Sequence, residues 1–233
     1  MVEASGDGSV AIGRDANNAT IKTNINQILP EPRAALTGEK NNVPDGGSEN
    51  FVGREDTLKA LHDQLSATDA VAITAINGMG GIGKTELAKQ YARAYAADYP
   101  DGVCWLQVRD AEVASQIVNF AGAYLDLKIP EGLALAAQVA YCWSHWPGSG
   151  RVLVVYDDVP EYERVESVLP PKGERFQALL TTRKQALEVT GKVQSFAIET
   201  LREEDALELL RKIVGIERTE AEGKIARDVC KWV

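Results

Sequence analysis

The sequence is poor in histidine and cysteine and carries no excess of positive charge, and each shortage removes a class of function. Only three cysteines occur in 233 residues, Cys104, Cys142 and Cys230. They are odd in number, far apart and outside any CxxC or Cys/His ligand spacing, so a disulfide framework and a zinc site are both excluded. Buried free thiols are the expectation. The two histidines stand alone: His62 falls on the packed face of a helical segment and His145 lies between Trp143 and Trp146. Neither belongs to a Ser/His/Asp or Cys/His order that would activate a nucleophile. Lys and Arg total 25 against 34 Asp and Glu, a net charge of −9, and no basic run relieves it locally. Nucleic acid is therefore excluded as a primary partner. There is neither a run of the ~20 apolar residues that a membrane span requires nor a basic start followed by an apolar core, so a cytoplasmic protein with no membrane span is expected. No internal repeat of the ~34-residue kind and no Asn/Thr-Lys-x-Asp guanine motif occurs.

What is present divides the chain unevenly. Residues 1–30 alternate Gly, Asn and Asp with short β-prone pieces, Ser9–Ile12 and Ala19–Thr23, and lack the apolar mass for a core of their own. Residues 31–50, with prolines, glycines and few large apolar side chains, read as a linker. Beyond them helical and strand patterns alternate. Leu58, Leu61, His62 and Leu65 share a helix face, and Ala70–Ile76 is an unbroken apolar run too short for a helix and suited to a strand buried on both faces. Further strands are expected at 103–108, 152–156, 176–181 and, more weakly, 195–198. Helices are expected after Gly83, over 113–124, 133–146 and 203–213, the last with the face Leu207, Leu210, Ile213. Such alternation predicts an α/β fold: a three-layer sandwich with a parallel central sheet, followed by the start of a helical subdomain. In the final segment Ile225, Val229 and Trp232 form a helical face that needs something further to pack against.

Three constellations carry chemistry. Gly78-Met79-Gly80-Gly81-Ile82-Gly83-Lys84-Thr85 satisfies G-x-x-x-x-G-K-[ST] between a buried strand and a helix. The glycines let successive N–H groups turn toward a phosphate at the positive end of the helix dipole. Lys84 supplies a cation for the β- and γ-phosphates and Thr85 a hydroxyl for Mg²⁺. Gly78, Gly80, Gly81, Ile82, Gly83, Lys84, Thr85 and Glu86 are thus the expected nucleotide contacts. The strand Arg151–Tyr156 ends in two acids. Running parallel to the first strand and ending beside the loop, it would bring Asp157 to the metal and leave Asp158 near the attacking water, making Asp158 and Lys84 the catalytic candidates. Ala178-Leu179-Leu180-Thr181-Thr182-Arg183 ends at the same sheet edge, where Arg183 can read the γ-phosphate.

With Phe51-Val52-Gly53-Arg54-Glu55 added, these motifs stand in an order that resembles the NB-ARC branch of the STAND P-loop signalling NTPases, over about residues 51–233. The resemblance implies a P-loop NTPase fold binding ATP or ADP with Mg²⁺. It places Val52, through its backbone, and Arg54 beside the adenine and ribose. It likewise makes Asp157 the Mg²⁺ residue, Asp158 the hydrolytic acid and Arg183 the γ-phosphate sensor. The nucleotide domain is then 51–214, and 215–233 begins a helical subdomain. The family continues with a Gly-Leu-Pro-Leu segment, a winged helix whose histidine holds ADP, and sensor repeats. Those features do not follow here, so a C-terminally truncated piece of a longer, bacterial NLR-like protein is expected. Residues 1–30 resemble the glycine- and asparagine-rich effector-associated segments of bacterial members; such β-prone, turn-spaced stretches can stack with copies of themselves or with a partner's matching segment, the alternative being a disordered tail with no specific role. The implied function is a signalling switch: exchange of ADP for ATP opens the protein and drives self-association, and slow hydrolysis resets it. The competing reading is an AAA-type motor or remodelling ATPase, which shares the glycine loop but usually has Asp-Glu where this chain has Asp157-Asp158.

Overall fold

In the computed structural model, residues 40–45, 51–75, 81–184 and 193–230 are described. The expected effector-associated segment, most of the expected linker, and Gly78 and Gly80 of the glycine loop lie outside them.

Five parallel strands form the sheet: β1 (Ala70–Ala75), β2 (Val103–Gln107), β3 (Val152–Val159), β4 (Phe176–Thr182) and β5 (Gln194–Ile198). Their order across the sheet is β2-β3-β4-β1-β5. Strand β4 therefore separates β1 from β3, an order that apolar periodicity does not encode. Alternate residues of each strand face opposite layers. Val103, Trp105, Leu153, Val155 and Leu179 pack with Leu61 and Leu65 of α1 (Glu55–Ser66) and with Leu87, Ala88, Tyr91 and Ala92 of α2 (Lys84–Ala94). Cys104, Leu106, Val154, Tyr156 and Leu180 pack on the other side with Ile117 and Phe120 of α3 (Val113–Leu125), Cys142 and Trp143 of α4 (Leu135–Ser144) and Val165 of the short α5 (Glu163–Glu166). Both faces are buried, which is why the strands read as continuous apolar runs. All three cysteines are buried and free.

Elements ran close to expectation, with four informative differences. Strand β3 extends to Val159 and so contains both aspartates, because it bulges rather than ending. The terminal segment breaks into α7 (Ile216–Ala221) and α8 (Gly223–Cys230), which follow α6 (Glu203–Val214). In α6 only Ala206 is buried and Ile213 is 64% exposed, so the face expected from Leu207, Leu210 and Ile213 is not a packed one. Within the stretch read as linker, Asn41 bridges Val103 in parallel on the outer edge of β2. Asn42 completes that pairing with its side chain: its Oδ1 accepts the Trp105 N–H at 2.6 Å and its Nδ2 donates to the Trp105 carbonyl at 2.9 Å. One amide thus satisfies both backbone groups of an edge residue that a further strand would otherwise bond. Among the described residues no helix is long and apolar enough to cross a membrane.

Candidate functional site

The carboxyl edge of a parallel sheet is where open α/β folds bind ligands, and four strands deliver polar side chains there. The first delivery is the loop after β1. Gly81 (φ +83°) and Gly83 (φ +94°) take left-handed backbones that L side chains rarely adopt, and α2 starts immediately at Lys84. Lys84 is 8% exposed. Burial, followed by the neighbouring Arg183, pushes its pKa down, while Asp158 pulls it up. A cation so placed gains from an incoming polyanion.

At the end of β3 the geometry depends on one irregularity. Tyr156 pairs with Leu180 and Val159 with Thr182, so Asp157 and Asp158 together oppose the single residue Thr181. This is a β-bulge, and Asp158 sits in it at φ +57°. Thr181 fills the gap: its hydroxyl donates to Asp157 Oδ1 at 2.7 Å and accepts the Asp158 N–H at 2.8 Å. The Thr85 hydroxyl donates to the same Asp157 Oδ1 at 2.8 Å, which joins the head of α2 to β3 across the intervening strand. In a flat strand the two acids would point to opposite faces. The bulge lets both line one cavity of about 690 Å³, with Gly81, Gly83, Lys84, Thr181 and Arg183.

Asp158 does not stand open. Arg109, on the segment after β2, donates through Nε to Oδ2 and through Nη2 to Oδ1, the latter at 2.9 Å. Arg183 reaches the same carboxylate less closely, Nε to Oδ1 at 3.3 Å and Nη2 to Oδ2 at 3.4 Å. Hydrogen bonding to Arg109 holds the Asp158 carboxyl below the usual carboxylate range, against an opposing effect of burial, and the charges of Arg109 and Arg183 add to the lowering.

On the other side of the loop lies an apolar pocket of about 150 Å³ lined by Val52, Arg54, Ile82, Leu201 and Leu209 among others, sharing Gly81, Gly83 and Glu86 with the polar cavity. Val52 is buried, and Arg54 donates to the Ile82 carbonyl at 3.5 Å. Burial lowers the Arg54 pKa, opposed by Asp205 and Glu199. Gly53 is required here: its φ is +68°, and a Cβ would lie 2.3 Å from the Asp205 side chain of α6. Glu86 accepts from Gln90 at 2.8 Å, one turn along α2.

The structure therefore brings Val52, Arg54, Gly81, Ile82, Gly83, Lys84, Thr85, Glu86, Asp157, Asp158 and Arg183 to one edge of the sheet, in two adjoining pockets. Sequence reasoning missed Arg109, the role of Thr181, and Leu201 and Leu209 as pocket walls. Thr181 carried a faint signal, a hydroxyl in an otherwise apolar strand, and Arg109 none.

The model of the NB-ARC domain matches residues 54–220, well over half of the chain. The chain belongs to the NB-ARC family. The NB-ARC domain resembles the regulatory protein AfsR of Streptomyces coelicolor at 32% identity over 194 residues, 77% of this chain and 19% of that protein. It resembles the disease susceptibility protein LOV1 of Arabidopsis thaliana at 29% identity over 187 residues, 73% of this chain and 20% of that protein. The chain thus spans about a fifth of the length of these curated relatives. Among solved structures, the ORC2 protein of Aeropyrum pernix, in ADPNP and ADP complexes, superposes with a TM-score of 0.50 at 17% identity, covering 74% of this chain and 54% of that one. That likeness shows the fold: this NB-ARC domain is a P-loop NTPase sandwich.

Proposed function

We propose that this NB-ARC domain binds ATP and ADP and acts as the nucleotide-controlled element of a signalling protein. The observation that carries the reading is the pair of adjoining pockets, one polar around Lys84, Thr85 and Asp157, one apolar around Val52, Leu201 and Leu209, with the glycine loop between them. A nucleotide has that division of character: triphosphate at one end, flat base at the other. The base lies against Val52 and Arg54, the phosphates over Gly81–Thr85, and Arg183 answers to the γ-phosphate.

The residues also fit Mg²⁺. The Thr85 hydroxyl and Asp157 carboxylate, 2.8 Å apart, are hard oxygen donors. Among the described residues there is no cluster of three or more His, Cys, Asp or Glu that would cage a metal. That suits an ion which keeps its waters and binds through one or two protein oxygens plus phosphate. When bound, the metal neutralises phosphate charge. Asp158 is the acid that orients the attacking water, and hydrolysis is slow.

The names of the relatives, a regulatory protein and a disease susceptibility protein, support a role in signalling rather than metabolism. Residues 51–214 form the nucleotide domain and 215–233 the beginning of a helical subdomain. Exchange of ADP for ATP opens the assembly for self-association through residues 1–30 or with an effector.

Isothermal titration with ATP, ADP and GTP tests the core of this reading, together with release of any copurified nucleotide by denaturation. Adenine nucleotides are expected to bind in preference to GTP. Lys84→Ala is expected to lose about a hundredfold in ATP affinity, since a hydrogen bond to a charged group contributes ~1.5–3 kcal/mol. Unchanged affinity in that variant would remove the site assignment. Steady turnover stimulated by a polymer substrate would favour a remodelling motor instead.

A further inference from the structure

A carboxylate has about four lone-pair sites. In Asp158 all four are addressed by guanidinium groups: each of its two oxygens meets one nitrogen of Arg109 and one of Arg183. The two arginines are not equivalent. Arg109 makes the closer, fork-like pair, 2.9 Å at its longer contact, from the bend two residues beyond β2, next to Val108, whose N–H donates to the Asp157 carbonyl at 3.0 Å. Arg183 stands at 3.3 and 3.4 Å with its side chain 64% exposed. The carboxylate between them is presented by a left-handed backbone at φ +57°. A non-glycine residue keeps such a conformation only when its surroundings over-determine it. Here the Thr181 hydroxyl accepting the Asp158 N–H on one side and the Arg109 fork on the other do so.

We propose that Arg109 is a positioning residue that acts as a brake on hydrolysis: its fork holds one lone pair of each Asp158 oxygen and fixes the carboxylate's orientation, leaving it a weaker acceptor for the proton of an attacking water while the fork is closed. The inference rests on the nucleotide-binding reading above. Arg183, the looser of the two, transfers to the γ-phosphate when a triphosphate arrives. Arg109 stays, because its contacts are shorter and the adjoining Val108 is bonded to β3. The pocket then contains a triphosphate, a cation and an acid whose oxygens each regain one lone pair but stay forked to Arg109. Slow turnover follows from the geometry, and its speed depends on how often the Arg109 fork opens.

The test compares the full chain with Arg109→Gln and Arg109→Lys, using single-turnover hydrolysis of saturating ATP with Mg²⁺, titration of ATP binding, and hydrogen exchange of the nucleotide-free proteins. Arg109→Gln is expected to hydrolyse about tenfold faster with ATP affinity within twofold of the parent. Arg109→Lys, which keeps the charge but loses the fork, is expected to fall between. Exchange at residues 157–159 is expected to accelerate in Arg109→Gln without nucleotide. Hydrolysis that is unchanged or slower in Arg109→Gln, with ATP still bound, overturns the brake, as does loss of ATP binding in that variant alone. If the parent itself binds no nucleotide, the functional reading fails. Exchange at 157–159 then still decides the fork, and equal exchange in parent and variant refutes it.

Discussion

At the scale of single residues the site is governed by Asp157, Asp158 and the one threonine opposite them. Thr181 serves both acids, donating to the first and accepting from the backbone of the second. It is therefore the plug of the bulge rather than an incidental strand residue. Arg183 is the residue whose position is most open to change, being exposed and only loosely paired with Asp158. Its arrangement leads to a selective expectation. Arg183→Ala is expected to weaken ATP about tenfold, equivalent to ~1.4 kcal/mol, while ADP stays within twofold, because only the γ-phosphate distinguishes the ligands. Parallel titrations with the two nucleotides check this. Equal losses for both would make Arg183 a structural partner of Asp158 and nothing more.

Between elements, a buried polar chain ties α1 and α2 to the sheet. Gln177 on β4 donates through Nε2 to the Leu65 carbonyl at 2.9 Å, which turns its Oε1 toward the Tyr99 hydroxyl, 2.7 Å away. Tyr99 donates to that oxygen, so at 2.7 Å it is Tyr91 that donates to Tyr99. Having spent its proton, the Tyr91 hydroxyl can only accept from His62 Nδ1 at 3.1 Å, which assigns a proton to that nitrogen. His62, expected as a packed-face residue, is thus the outer end of a network, stacked on Tyr95 with ring centroids 4.0 Å apart. Burial pushes the Tyr99 pKa up to about 12 and also raises those of Tyr91 and Tyr156 well above the ordinary tyrosine value. A folded-state pKa above the ~10 of an unfolded tyrosine means that the stabilisation is complete below pH ~10 and is lost as pH rises from there through the folded value. In an alkaline titration, three of the seven tyrosines, Tyr91, Tyr99 and Tyr156, are expected to ionise only as the fold is lost. Following tyrosinate absorbance alongside far-ultraviolet ellipticity reads this directly. Smooth ionisation of all seven before any loss of ellipticity would contradict the network.

Across the whole molecule the two ends of α6 face different tasks. In its first two turns Asp205 packs on Gly53 and Leu209 walls the apolar pocket, so the pocket and the helix position share contacts. In its last turn and along α7 and α8, Ile213, Ile216, Ile225 and Val229 are 64%, 62%, 59% and 47% exposed. Large apolar side chains grouped in this way mark a contact surface. If the self-association proposed above runs through these side chains rather than through residues 1–30, the double substitution Ile213→Ser with Ile216→Ser is expected to reduce it in sedimentation velocity while leaving ATP affinity within twofold. Unchanged association would locate the sticky surface elsewhere, and a lost affinity would show that this end of α6 also supports the pocket.

Much of this was legible from local pattern. Short apolar runs bounded by turns predicted β1 to β4, because a strand covered on both faces must be apolar throughout, whereas β5, at the sheet edge with Gln194, Ser195 and Ala197 exposed, left only a weak pattern. The spacing of Gly81, Gly83, Lys84 and Thr85 located the phosphate loop, because only that sequence of conformational freedom, cation and hydroxyl suits a phosphate. The acids at the end of β3 and the arginine after β4 followed from their places at strand ends. Strand order, by contrast, depends on which faces of distant segments fit, and a 2-residue period says nothing about it. The bulge carried no glycine to announce it. Arg109 is 49 residues from Asp158 in the chain, and Asn42 is 63 from Trp105, separations that no local pattern spans. The chain's own order of residues determined what chemistry reaches the sheet edge, because strand-end residues are local facts. Tertiary structure alone decided that Asp158 is held between two arginines, because a carboxylate's partners are set by which strands lie side by side.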